Sequence, residues 1–297
     1  MNKARGSVSI LVIFIFAILS FLLLFLLSRL ERGGLLLEAE RDGLKSGYAA
    51  ESMAHLAYRS TDEEVFRQVL LERDAIALSA PSWDGIAGEK AKISPIRTSG
   101  AYTRFSLSAD CRYRGIYSRA IVTGELVHPL FAQQDGILSA DEIETAGLLP
   151  AWKEAFRLWS YAPKDRLPSV VVDRPSEMHY NGGKWILTDG ADGQIQTEAK
   201  QALDIRSELS VPDGYSTEGL VFLRSGSVLR GTLYVRGVVI AEADSVVEGK
   251  IVCDGLCIGY LPMDTVSNFH PRKAERYLAN FPEFLECGNI RTKKEFR

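Results

Sequence analysis

Histidine is scarce in this 297-residue chain, with four copies at positions 55, 128, 179 and 270, and cysteine is as scarce, at 111, 253, 257 and 287. Histidines so scattered give no metal or general-base cluster. Four cysteines are too few for a disulfide scaffold. There is no Gly-x-Ser-x-Gly, no His-Glu-x-x-His and no P-loop, which removes the reactions those motifs carry. Excess positive charge is missing too. The 35 Lys and Arg stand against 38 Asp and Glu, a net charge of −3, so a strongly basic nucleic-acid binder is excluded. A chain 46% hydrophobic and 25% charged is neither collagen-like nor mostly disordered. These absences predict a protein that is not an enzyme and uses no cofactor.

What is present is unevenly placed. Val8–Leu27 is a 20-residue apolar run broken only by Ser9 and Ser20. At about 1.5 Å per residue it spans roughly the thickness of a bilayer core. Lys3 and Arg5 precede it, which predicts a cytoplasmic N-terminus and an extracytoplasmic C-terminal region. The run is longer than the apolar region of a secretory signal, and no small-x-small cleavage site follows it. From Leu35 to Leu78 a helical pattern continues, with Leu37, Leu44, Tyr48, Ala49, Leu56 and Ala57 at helical spacing and no proline before Pro81. One long helix is predicted from the membrane to about Tyr58, bent near the glycines at 33, 34, 43 and 47. A second should start with Ser60 and Glu63, or Thr61 and Glu64, as a capping box, and bury Val65, Phe66, Val69 and Leu70.

The start Met1-Asn-Lys-Ala-Arg-Gly6, followed by Ser7-Val-Ser-Ile-Leu11, resembles a type IV prepilin leader. That resemblance implies cleavage between Gly6 and Ser7 by a prepilin peptidase, methylation of the new N-terminus, and retention of the apolar stretch in the mature protein. The family's usual Glu at the fifth mature position is here Leu11. K-type pseudopilins and some PilX-like minor pilins share this departure and are thought to sit at a fibre tip. Tyr48-Ala-Ala-Glu51-Ser also resembles the small-residue, acid-containing stretch of PilX-like minor pilins. The resemblance implies as partners membrane lipid, the prepilin peptidase, other pilin or pseudopilin subunits and their assembly platform, with no nucleic acid. It implies residence in the cytoplasmic (inner) membrane or in a surface pilus. A permanent single-pass anchor explains the same apolar run.

Residues 81–95 read as a loop, rich in Pro, Gly, Asp and Ser. From Ala101 the period changes to two, predicting antiparallel strands with a turn near Gly115, and Arg112, Arg114 and Arg119 read as the solvated face of that sheet. Asp141–Trp159 is helical with a break at Pro150. Val170–Val172 and Lys184–Thr188 read as strands around the turn Asn181-Gly-Gly183. Asp189-Gly-Ala-Asp192-Gly is similar to a calcium loop but lacks the EF-hand spacing and closing Glu, and reads as a turn.

The strongest signal lies in residues 213–259. Shifted by 18, this stretch matches itself: Gly219, Gly237 and Gly255 align, as do Ser227-Val-Leu-Arg-Gly231 and Ser245-Val-Val-Glu-Gly249. Eighteen is one coil of a hexapeptide-type β-helix, and an antiparallel meander with chance spacing is the alternative. At the same shift Arg224 meets Glu242, Arg230 meets Glu248 and Arg236 meets Asp254, the pairing expected of stacked coils. The coils resemble those of bactofilins, a likeness of fold alone. Hexapeptide acyltransferases also use this coil but need more coils and a catalytic His. Cys253 and Cys257 should point inward, about 13 Å apart on an extended strand and too far to bridge. A Cys257–Cys287 disulfide would tie coil to cap outside the cell.

The expected architecture is therefore α+β: leader 1–6, transmembrane helix 7–28 and extracytoplasmic stalk helices 29–80. A mixed region 81–205 with a small antiparallel sheet follows. Next come a β-solenoid of about three 18-residue coils at 206–262 and a capping helix with tail at 263–297.

Overall fold

Helix α1 (Lys3–Ser60) runs without a break through all four glycines. The computed structural model describes residues 3–72, 74–80, 82, 85–132, 135–158, 167–190 and 193–296. From Leu11 to Arg32 every side chain of α1 is exposed, and the helix is long and apolar enough to cross a membrane. Packing begins at Asp42 and runs along Ser46, Ala49, Ala50, Met53, Ala54 and Ala57. Leu37, Leu44, Tyr48 and Leu56, the large residues of the expected stripe, are instead exposed. The reason is contact distance: small side chains let a helix lie close against its neighbour. Helix α2 (Glu63–Leu71) buries Phe66, Val69 and Leu70 as expected. Its N-cap is Asp62, whose carboxylate accepts from Val65 N at 2.9 Å. Ser60 and Thr61 do not cap it; both hydroxyls donate back to Ala57 O.

Against α1 lies an antiparallel sheet of β1 (Ile76–Leu78), β2 (Ile86–Ile96), β3 (Arg104–Tyr113), β4 (Ile116–Val127) and the C-terminal strand Leu285–Phe296, in that order. The expected turn is present, with Arg114 and Gly115 both at positive φ. Phe105, Leu107, Ala109 and Cys111 alternate with more exposed polar residues and face the core with Ala120 and Val122. Two expectations fail here. Residues 86–96 are a strand, not loop: Ala91 and Ile93 are buried between exposed Lys90 and Lys92, a period of two masked by Gly88 and Pro95. The C-terminal tail is also a strand, paired with β4.

Next come β5 (Ile137–Ser139), α3 (Ala140–Thr145) and α4 (Leu149–Leu158). The break falls just before Pro150, which sits in the first turn of α4; Trp159 lies outside the described residues. Then follow β6 (Ser169–Val172), β7 (Ser176–Asn181), β8 (Lys184–Asp189), β9 (Gln194–Gln196), β10 (Lys200–Ile205), β11 (Glu208–Ser210), β12 (Ser216–Leu223), β13 (Val228–Ala241), β14 (Val246–Gly259) and β15 (Val266–Phe269). The hairpin at Asn181-Gly-Gly183 is formed by β7 and β8. Val170–Val172 belongs elsewhere, in β6, parallel to β10.

The chain forms a β-solenoid. Strands β10, β12, β13 and β14 stack in parallel at the 18-residue shift, aligning Leu203, Val221, Val239 and Cys257. Val235 lies over Cys253, as expected. The parallel stack begins earlier than residue 206: Ser169 pairs with Ala202, 33 positions on. The β7–β8 hairpin and β9 are inserted in that coil, so a shift of 18 cannot detect it. At the other end, β15 and β5 both pair with β14 and cover its open edge. Helix α5 (Pro271–Leu278) caps the solenoid, lying against β13 and β14, and is followed by β16, the C-terminal strand Leu285–Phe296 already described.

Val239 is fully buried inside the coils. Val239→Asp should therefore cost several kcal/mol, because the new charge has no partner there. Arg236 is exposed, and Arg236→Ala should change stability by less than about 0.5 kcal/mol. Denaturant unfolding of the full chain in detergent compares them; equal costs would overturn the coil register.

Candidate functional site

Within each coil the inward residues skip from Leu229 to Leu233 and from Val235 to Val239. Each skip is a corner, at Gly231 and Gly237. The glycines of one column, 219, 237 and 255, stack on one another. A Cβ on Gly237 or Gly255 would overlap the carbonyl oxygen of the glycine one coil earlier. Close approach of backbones therefore demands glycine at both positions, and neither has a positive φ. Left-handed backbone occurs at Gly219, Gly231 and Gly249.

The corner at Gly255 corrects the reading of the cysteines. An extended strand would hold Cys253 and Cys257 far apart, but here the Cys253 thiol donates to Gly237 O at 3.6 Å and Leu256 O at 3.7 Å, and the bend brings Cys257 close beside it inside the coils. That neighbouring thiol, together with burial, holds the Cys253 thiol well above its ordinary pKa. The structure does not join Cys257 to Cys287. Cys257 lies in the solenoid interior. Cys287 packs on the other core, beside Tyr58, where burial raises its thiol to about 11. All four cysteines are free.

Two of the three charge pairs form. Arg224 meets Glu242 at 3.2 Å and Arg230 meets Glu248 at 3.3 Å. Asp254 pairs instead with Lys273 of α5, because the cap brings a cation to that face. Arg224 also binds Asp204 at 2.6 Å. The three arginines of the antiparallel sheet are likewise matched, Arg112 by Glu89, Arg114 by Asp42 and Glu38, and Arg119 by Asp110. Among the described residues no group of three His, Cys, Asp or Glu side chains could hold a metal. Gly6 and Ser7 lie within the first turns of α1. Part of the Asp189–Gly193 turn, including Asp192, lies outside the described residues.

One buried carboxylate has no counterpart in the sequence reading. Glu275 of α5 is 2% exposed and accepts hydrogen bonds from the backbone N–H and the hydroxyl of Thr103, the hydroxyl at 3.0 Å. It thereby joins the cap helix to the antiparallel sheet. Burial pushes its carboxyl up to about 7, against the opposing pull of the Thr103 bonds and of Arg97 and Arg272. No spacing rule announces such a residue, because Thr103 lies far away in sequence.

The folded state thus favours protonated Glu275. Its stabilising contribution is full below about pH 4.5 and is lost as pH rises through about 7. Glu275→Gln keeps an acceptor for Thr103 N–H and carries no charge. Melting of the parent should fall between pH 5 and pH 8 by more than melting of the variant; parallel pH profiles would contradict this role.

No family model, no curated protein and no solved structure matches this chain.

Proposed function

We propose that this protein is a membrane-inserted, extracytoplasmic subunit of a type IV pilus-like fibre or related secretion system, in the manner of a minor pilin or K-type pseudopilin. The observation that carries the reading is the division of α1. Its first part is an exposed apolar rod, while its last part is packed on the antiparallel sheet through small residues. Such a helix anchors the chain in lipid before assembly and can lie among neighbouring helices afterwards. Leu35, Leu36, Leu37, Leu44 and Tyr48 are all exposed beyond the apolar run. A stalk with that much bare apolar surface suits helix packing in a fibre better than solitary display in water. In this reading the solenoid is a non-enzymatic outer module, and Leu11 in place of an acid favours a tip position. The chain's partners are then the prepilin peptidase, other pilin or pseudopilin subunits and the assembly platform.

A permanent single-pass anchor that displays the solenoid is the second reading. It is favoured by the helix running continuously through Gly6 and Ser7, since a peptidase needs an extended substrate.

N-terminal mass spectrometry of membrane-derived protein separates the two. The first reading expects an end at Ser7, methylated, and intact Met1 in cells that contain the peptidase would leave only the anchor. A reporter active only outside the cytoplasm, fused after Arg297, should be active. Activity of a cytoplasmic reporter at that position would refute both.

A further inference from the structure

A cavity of about 610 Å³ opens between the solenoid and the α3–α4 pair, within the size range of small-molecule sites. Its floor is a single column of the repeat. Arg206, Arg224, Glu242 and Tyr260 recur at intervals of 18 and all line it. The opposite wall is apolar, from Ile143, Leu149 and Trp152. Ile258 closes the inner end.

Hydrogen-bond bookkeeping decides what such a site can hold. Asp204 is 1% exposed and stands where later coils carry Phe222, Ile240 and Ile258. Its Oδ1 accepts from Arg224 Nε at 2.6 Å, and its Oδ2 accepts from Arg206 Nε at 2.9 Å and Nη2 at 2.7 Å. Glu242 Oε1 accepts from Arg224 Nη1 at 3.2 Å, and its Oε2 from Ser225 N at 3.0 Å. All four carboxylate oxygens are engaged, and Arg224 is spent on them while stacked over Phe222. Lys153 at the rim has no acceptor among the described residues, and Arg206 donates only to Asp204. Three cations, Lys153, Arg206 and Arg224, thus stand against two carboxylates that already hold donors on every oxygen, which leaves the pocket with a net positive charge. A cationic head would face that positive excess and compete with Arg224 for Glu242, whereas a carboxylate would gain charge-assisted hydrogen bonds.

We propose that this pocket binds a small amphipathic anion, a carboxylate with an aryl or short acyl body, its head between Lys153 and Arg206 and its body against Leu149, Ala243 and the exposed ring of Tyr260. This assignment is independent of whether the chain joins a fibre.

The test uses the full chain in lipid nanodiscs and isothermal titration with 4-phenylbutyrate, 4-phenylbutan-1-ol and 4-phenylbutylamine, each corrected against empty nanodiscs. The carboxylate should bind saturably, at least about tenfold more tightly than the alcohol or the amine, as expected of a charge-assisted hydrogen bond. Lys153→Gln combined with Arg206→Gln should remove that preference and leave alcohol binding unchanged. Ala243→Phe, at a partly exposed position on the cavity wall, should fill the space and abolish binding of all three with melting unchanged. Equal binding of carboxylate and alcohol, absence of saturable carboxylate binding at millimolar concentration, or an undiminished preference in the double variant would overturn the proposal. If a variant fails to fold, the comparison of head groups on the parent chain decides alone.

Discussion

One wall of the solenoid is buried on both of its faces, and the rest of the molecule is arranged around it. In β12, β13 and β14 the runs Leu220–Leu223, Val238–Ala241 and Leu256–Ile258 alternate between two cores. Val221, Val239 and Cys257 point into the coils. Leu220, Val238 and Leu256, with Phe222, Ile240 and Ile258, point outward into the core shared with α1, α2, α5 and the antiparallel sheet. Burying six such side chains contributes on the order of 10 kcal/mol before entropy is charged. Exposed ion pairs such as Arg230–Glu248 add about 0–1 kcal/mol each. Apolar burial, not the charge ladder, therefore joins the parts.

Aromatic rings fill the space between the wall and the sheet. Phe281 stacks on Trp152 at 5.4 Å and lies beside Phe222, while Phe131 contacts both Trp152 and Phe284. Tyr102 meets Phe284 and Phe269 edge-on. The polar links are few and placed at the seams. Glu275 holds Thr103, Arg67 donates to Ala279 O at 2.9 Å, and Lys294 pairs with Glu51 on α1. The packed end of the membrane helix is thus fixed to the sheet, and the sheet to the solenoid. A load on α1 would reach the outer module through packed side chains rather than through a flexible linker.

The apolar run, the long helix and the 18-residue register were legible because each rests on a local repeat: unbroken hydrophobicity, a period near 3.6, and identical residues one coil apart. The charge pairs Arg224–Glu242 and Arg230–Glu248 followed from the same register. Arg236–Asp254 did not form, because Lys273 arrives from a helix beyond the repeat. The coil holding β6 was hidden by an inserted hairpin. The stalk misled for a different reason. Large apolar residues on a helix read as its buried stripe, yet here the sheet accepts mainly small ones, with Met53 the large exception.

The sequence by itself determined the membrane-length helix, the solenoid and the stacking of its inward residues, since these depend on neighbours or on a fixed interval along the chain. Only the tertiary structure decided what closes and joins those pieces. It placed β5 and β15 together on the open edge of β14, set the C-terminal strand beside β4, and buried Glu275 against Thr103. It also turned the chain at Gly255 so that Cys253 and Cys257 lie close together inside the coils. Those contacts join residues far apart in sequence or across a corner, and their partners are selected by shape and burial, which no interval along the chain encodes.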